Sequence, residues 1–245
     1  MASLSADGQI EFEGYELNEG ISMAANMREA FRSVAMLRDE YERVLAMVDA
    51  PVLMVPSEEF LPTEEQTLYS HAFSDTESLV VAHTVLPDLN SVAVFGIGRD
   101  LKKVFDEHFP SAQYIAAVAP VWRHLHQRSH MGVRAKLYGY FHGSSLTVFC
   151  YGQHRLKFCN TFSIGNGHDA VYFLLYVWKQ LAMQAEHDEL HLVGSIAQQE
   201  WLVDELRRYV KRVYVINPAG DFNRSAVARI EGMPYDMMTL FVRGR

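Results

Sequence analysis

The chain has 245 residues with 22 Lys+Arg against 30 Asp+Glu, a formal charge of −8, which argues against a free-standing nucleic-acid-binding module because those run basic. Apolar residues make up 49% and charged ones 21%, so the chain can bury a core and is not disordered as a whole. No apolar run approaches the roughly 18 residues of a membrane span. The start, MASLSADGQIEF, also lacks the basic-then-apolar layout of a signal peptide, so a soluble, cytoplasmic protein is expected.

In chain order, Asp7-Gly8 marks a turn, and Gln9 to Leu17 alternates polar and apolar residues as a strand does. Ile21 to Arg38 carries Met23, Met27, Ala30, Phe31, Val34 and Leu37 at helical spacing. Short apolar runs at Val44–Val48 and Val52–Val55 are interrupted by Pro51 and stopped by Pro56. A helix is expected from Thr63, with Glu64 and Glu65 suiting its dipole. Strands Leu79–Val85 and Val92–Ile97, a helix Asp100–His108 and a strand Gln113–Val118 complete an alternating α/β first half.

The second half reads as a βββαβαβ series. Leu137–Phe141, Leu146–Tyr151 and Leu156–Ile164 form a meander, joined by turns at His142-Gly143-Ser144 and Gly152-Gln153. A nearly all-apolar helix follows from Asp169 to about Gln184, then strand Leu190–Val193, helix Gln198–Tyr209 and strand Val213–Ile216. Val92–Gly96 with Asp106-Glu107 matches Leu190–Gly194 with Asp204-Glu205 at an offset of 98, which suggests a duplicated unit. Beyond Pro218, Met233 to Phe241 mixes aromatics and methionines without clear period and is expected to pack on the body. Pairing Tyr151 with His154 would set Cys150 opposite Arg155 and Cys159 opposite Leu146, on one face but roughly 13 Å apart. Two buried thiols are therefore expected, not a bridge.

Several stretches resemble one family: Gly20-Ile21-Ser22-Met23-Ala24-Ala25-Asn26, Ala50-Pro51-Val52-Leu53-Met54-Val55-Pro56, Pro120-Val121-Trp122-Arg123-His124-Leu125-His126, His168-Asp169-Ala170-Val171-Tyr172-Phe173 and Tyr214-Val215-Ile216-Asn217-Pro218. They resemble domain-of-unknown-function family 3822, over essentially the whole chain. The resemblance implies an actin-like ATPase fold, tandem ribonuclease H-like βββαβαβ lobes, here 1–132 and 133–245, with any nucleotide between them. ATP with Mg²⁺ is the cofactor such a fold implies.

In such folds Asp-x-Gly hairpins hold phosphate on backbone amides while a carboxylate holds Mg²⁺ through water. Only Asp7-Gly8 resembles one in the first half, with no Ser or Thr following. The second reads Gly143-Ser144-Ser145 after His142, with no carboxylate, and the adenosine-side Gly-Gly has become Gly194-Ser195. The expectation is a non-catalytic scaffold or assembly protein with a protein partner and weak nucleotide binding at most. The alternative is an ATP-hydrolysing switch, which would need a carboxylate from elsewhere, such as Asp7 or Asp169.

From His108 to His168 there is no Asp or Glu, yet the span holds six Arg and Lys and seven of the 11 histidines. A third reading is therefore an anion or nucleic-acid patch centred on Arg123, Arg128, Arg134 and Lys136. His124, His126 and His130 are the one candidate metal set, against the alternative of histidines capping helix ends. Gly96-Ile97-Gly98 lacks the third glycine of a dinucleotide loop, and no serine sits in a nucleophile elbow.

Overall fold

A computed structural model describes residues 1–129, 132–152 and 155–243. Its first pair of strands, β1 (Ala2–Leu4) and β2 (Ile10–Phe12), forms an antiparallel hairpin, shorter than the alternation predicts. Helix α1 (Met23–Ser33) starts at Ser22, whose hydroxyl accepts from the Ala25 amide. Within it the buried Asn26 side chain holds Asn18 through the Asn18 amide at 2.8 Å and its carbonyl at 3.0 Å. This is the local reason for the Gly20 to Asn26 motif: it ties the incoming loop to the first turn.

Next come β3 (Leu45–Val48), β4 (Val52–Pro56), α2 (Glu65–Ala72), β5 (Leu79–Leu86), β6 (Ser91–Gly98), α3 (Arg99–His108) and β7 (Gln113–Ala116). Strands β4, β6 and β5 make an antiparallel sheet with β6 central, and β3 pairs in parallel with β7. The two ladders meet where the Ala116 amide donates to Thr84 Oγ1 at 3.2 Å.

Helix α4 (Ala119–Ser129) was not among the expected elements. It buries Ala119, Pro120, Val121, Trp122, Leu125 and His126, so its polar face is narrow and starts only at Arg123. It leads to β8 (Lys136–His142), β9 (Ser145–Gly152), β10 (Arg155–Ser163), α5 (Gly167–Gln180), β11 (Glu189–Gly194), α6 (Gln199–Arg207) and β12 (Val213–Val215). The sheet order is β10-β9-β8-β11-β12, with β8, β9 and β10 antiparallel and β8, β11 and β12 parallel. That is the predicted βββαβαβ unit in full. In the first half the strands reach their sheets in a different chain order.

The repeat at an offset of 98 is not structural. It equates β6 with β11, but β6 runs antiparallel between β4 and β5, whereas β11 runs parallel between β8 and β12. The shared residues reflect only what a buried strand before a helix requires.

The C-terminal segment holds α7 (Pro218–Asp221) and α8 (Tyr235–Arg243). Phe222, Val227, Met233, Tyr235 and Met238 belong to the largest core cluster, which joins Leu86, Leu89 and Phe95 of the first half to Trp122 of α4 and to Tyr138, Phe149 and Val193 of the second sheet. The other face of that sheet packs Leu137, Leu146 and Leu192 under Leu174 of α5 and Leu202 of α6. Packing is thus continuous between the halves.

The thiols do not share a face. A bulge between Leu156 and Phe158 sets Phe158 opposite Cys150 and Cys159 opposite Phe149, three residues out of the expected register. Of the predicted Gly152-Gln153 turn, Gln153 lies outside the described residues, as does His154. Cys150 points into the α5 side and Cys159 packs on the opposite core, and both are free. Burial pushes the Cys150 thiol up to about 11, and that of Cys159 upward as well. Both are expected to react with a disulfide reagent far more slowly in the native protein than in denaturant, because the thiolate is the nucleophile.

Candidate functional site

Two of the predicted glycine turns come together at the carboxyl ends of β8 and β11. Gly143, at φ +52, turns β8 into β9, and Gly194, at φ +97, ends β11 with Ser195 donating its amide to the Phe141 carbonyl at 3.0 Å. Ser144 offers its carbonyl to the Ile164 amide, and Ser145 opens β9 opposite His142. In open α/β sheets ligands sit outside the carboxyl ends of parallel strands, so this is where the fold would place one. Asp7 and Gly8 lie in the separate β1–β2 turn, where Asp7 is bonded to the Ser5 hydroxyl and the Gln9 amide, and these bonds hold its carboxyl below its usual value.

Other groups stand at the mouth of the Gly143 hairpin. His142 Nδ1 lies 3.4 Å from Asp49 Oδ2, and its Nε2 is 3.1 Å from Thr147 Oγ1, itself 2.9 Å from Thr161 Oγ1. The His142 ring stacks on Tyr140 at 4.8 Å, and Tyr140 donates its hydroxyl to Asp236 in the first turn of α8. Burial pushes the Asp236 carboxyl up, and Asp49 nearby adds to the rise. Asp49 and Asp236 are the carboxylates the sequence reading missed, because neither belongs to the hairpin it sits beside. Asp169 accepts instead from the Gly165 and Asn166 amides as half of a capping box on α5.

A carboxyl held above its ordinary value disfavours the ionised form in the fold, so it lowers stability at neutral pH. Asp236→Asn keeps the acceptor for Tyr140 and the Met237 amide while removing that charge. Its thermal midpoint is expected to match or exceed the native one near pH ~7, with the gain vanishing below the ordinary carboxylate value.

A second node fixes α8 and α7 to α4. Asp221 Oδ2 accepts from His124 Nε2 at 2.9 Å and from the Tyr235 hydroxyl at 2.7 Å, while Oδ1 takes an Arg128 guanidinium arm. Burial works to raise the Asp221 carboxyl, but these three donors outweigh it and hold it below its usual value.

The same geometry gives the residues of the expected anion patch and metal set partners within the chain. Arg123 pairs with Asp88 at 2.9 Å, Arg128 with Asp221 and Arg134 with Glu189 at 3.5 Å, while Lys136 Nζ reaches the Ser129 carbonyl at 3.3 Å. The basic segment therefore meets carboxylates from elsewhere in the chain, which a count along the sequence cannot reveal. His124 is bonded to Asp221, His126 is buried against the Tyr151 ring at 5.0 Å, and His130 lies outside the described residues. Among the described residues no three His, Cys, Asp or Glu side chains gather as a metal site. None of the described helices is long and apolar enough to cross a membrane.

The family whose sequence pattern is described as "Protein of unknown function (DUF3822)" matches residues 5–213. The chain belongs to this family. Among solved structures, a Bacteroides thetaiotaomicron protein with actin-like ATPase fold and unknown function is 27% identical, covering 96% of this chain and 88% of its own, with a TM-score of 0.85. The PilM-PilN type IV pilus biogenesis complex is 13% identical over 94% of this chain and 88% of its own, with a TM-score of 0.55. No curated protein matches the sequence. The DUF3822 chain thus has the actin-like ATPase fold.

Proposed function

We propose that this DUF3822 protein is a non-catalytic scaffold, in which the actin-like fold serves to bind a protein partner and nucleotide binding is weak at most. The supporting observation is the mouth of the Gly143 hairpin: Tyr140 and His142 are engaged by Asp49 and by Asp236 of the protein's own C-terminal helix, where a bound phosphate would meet negative charge. Both carboxylates suggested for Mg²⁺ are engaged elsewhere, Asp169 in capping α5 and Asp7 within the β1–β2 turn. Division at 1–132 and 133–245, with each half contributing one wall, is part of the same proposal, as is a cytoplasmic location.

Protein partnering gains support from the fold relative whose structure is a complex, the PilM-PilN assembly. It supports the class of partner alone, because likeness at 13% identity shows only the fold. Nucleic acid is disfavoured by the overall charge of −8 and by the carboxylates facing Arg123, Arg128 and Arg134.

The experiment is a calorimetric titration of the full chain with ATP, with and without Mg²⁺, with phosphate release followed in the same samples. No heat above dilution at millimolar nucleotide, and no phosphate, is the expected result. Tight, Mg²⁺-dependent binding with turnover would replace this reading with the ATP-driven switch.

A further inference from the structure

A cavity of about 410 Å³ opens away from the hairpin mouth, between the end of α4, the face of β11 and β12, and the α7 turn. Its lining includes Arg128, His191, Tyr214, Asn217, Gly220 and Asp221. The volume suits a small molecule. Three rings run side by side across the sheet at this place: His191 lies 5.3 Å from Tyr138 and 5.2 Å from Tyr214, tilted 30° and 32° to them. They come from neighbouring positions on β8, β11 and β12, whose register sets His191 opposite both tyrosines. Tyr214, at the sheet edge, is 43% exposed, a large ring face left to solvent.

The polar groups around this aromatic floor favour a negative ligand. Asp221 is 7% exposed and surrounded by His124, Tyr235 and Arg128, while the Arg128 side chain remains 36% exposed on the cavity side. Glu189 is likewise turned to His191 at 3.0 Å and to Arg134. Lys136 and Arg128 both act on His191, so with Arg134 three cations face two carboxylates that are already engaged.

We infer that this cavity binds a small planar anion, an aromatic or heteroaromatic ring bearing one carboxylate or phosphate, with the ring on Tyr214 and His191 and the anionic group on Arg128. Stacking takes any flat ring, while the guanidinium fork selects a planar or tetrahedral oxyanion. The site is separate from the hairpin mouth and does not rest on the scaffold reading.

The test is calorimetry of the full chain with phenyl phosphate and with benzoate, each against its neutral counterpart, phenol or benzamide. Two variants address the site without touching the Asp221 node. Tyr214→Ala removes the exposed ring, and Gly220→Leu fills the cavity, since a Cβ at Gly220 meets nothing within 4 Å. At least one anionic probe is expected to bind about tenfold or more tighter than its counterpart. Tyr214→Ala should weaken it about fivefold or more, and Gly220→Leu should abolish it, with thermal midpoints unchanged. Binding of the phosphate probe, the carboxylate probe or both supports the inference and names the source of the anion. Silence from both probes at millimolar concentration, or binding that survives in both variants, overturns it.

Discussion

Asp221→Ala is expected to destabilise the protein by about 3–5 kcal/mol, the cost of breaking a buried charged network by removing one member. The side chain is 7% exposed and bonds His124 and Arg128 of α4 together with Tyr235 of α8. Its loss leaves the 5%-exposed Tyr235 without its acceptor beside a guanidinium with no counter-charge, and it loosens the C-terminal segment from α4. Because the native carboxyl titrates below its ordinary value, its contribution is complete above about pH 5 and fades as the pH falls through the folded value. Asp221→Asn, which cannot carry the charge, should therefore lose stability at neutral pH and show a flatter acid limb. Urea denaturation at several pH values measures both. A native-like midpoint for the alanine variant would mean that the node does not fasten the segment.

Gly194→Ala should be nearly as damaging, for a backbone reason. At φ +97 the residue lies where L side chains rarely go, which costs about 1–3 kcal/mol. A Cβ would also stand 2.1 Å from the Phe141 carbonyl oxygen, and that oxygen accepts the Ser195 amide, so the neighbouring strand must yield; such overpacking costs about 1–3 kcal/mol more. Gly143→Ala is the control. It has φ +52 and open space around the missing Cβ, so it should cost only the left-handed backbone penalty, about 1–2 kcal/mol. Thermal unfolding of the pair separates the two positions. Equal losses would contradict the close approach of β8 and β11.

The second half was legible because its signals are local. Alternating strands, short turns and the apolar α5 each declare themselves within a few residues, and the β8-to-β12 order follows from them. Helix α4 was not legible, because Pro120 stands in its first turn and its buried residues leave only a narrow polar stripe from Arg123 onward. The C-terminal helices carried signals that a search for period passes over: Asn217 followed by Pro218 is a cap and first-turn pair, with the Asn217 side chain accepting from Ala219 at 3.0 Å.

The site was legible only in part. Gly143 and Gly194 announce tight turns, and the fold brings them to adjacent strands. What stands at their mouth is set by long-range packing: Asp49 comes from the β3–β4 turn and Asp236 from α8, 93 and 94 residues away along the chain from His142. The basic segment misled for the same reason. Arg123 finds Asp88 and Arg128 finds Asp221, 35 and 93 residues away. Residue type and spacing identify charges, and only the fold decides which of them remain unpaired.

In the proposed scaffold, the protein's own C-terminal helix closes the mouth of the Gly143 hairpin against nucleotide. Amide hydrogen exchange of the full chain, followed over residues 140–145, 194–195 and 235–239 with and without millimolar Mg²⁺-ATP, tests it most directly. Identical exchange at these amides in both conditions is the expected result. Protection of the hairpin on adding nucleotide, with faster exchange in α8 as it is displaced, would contradict it.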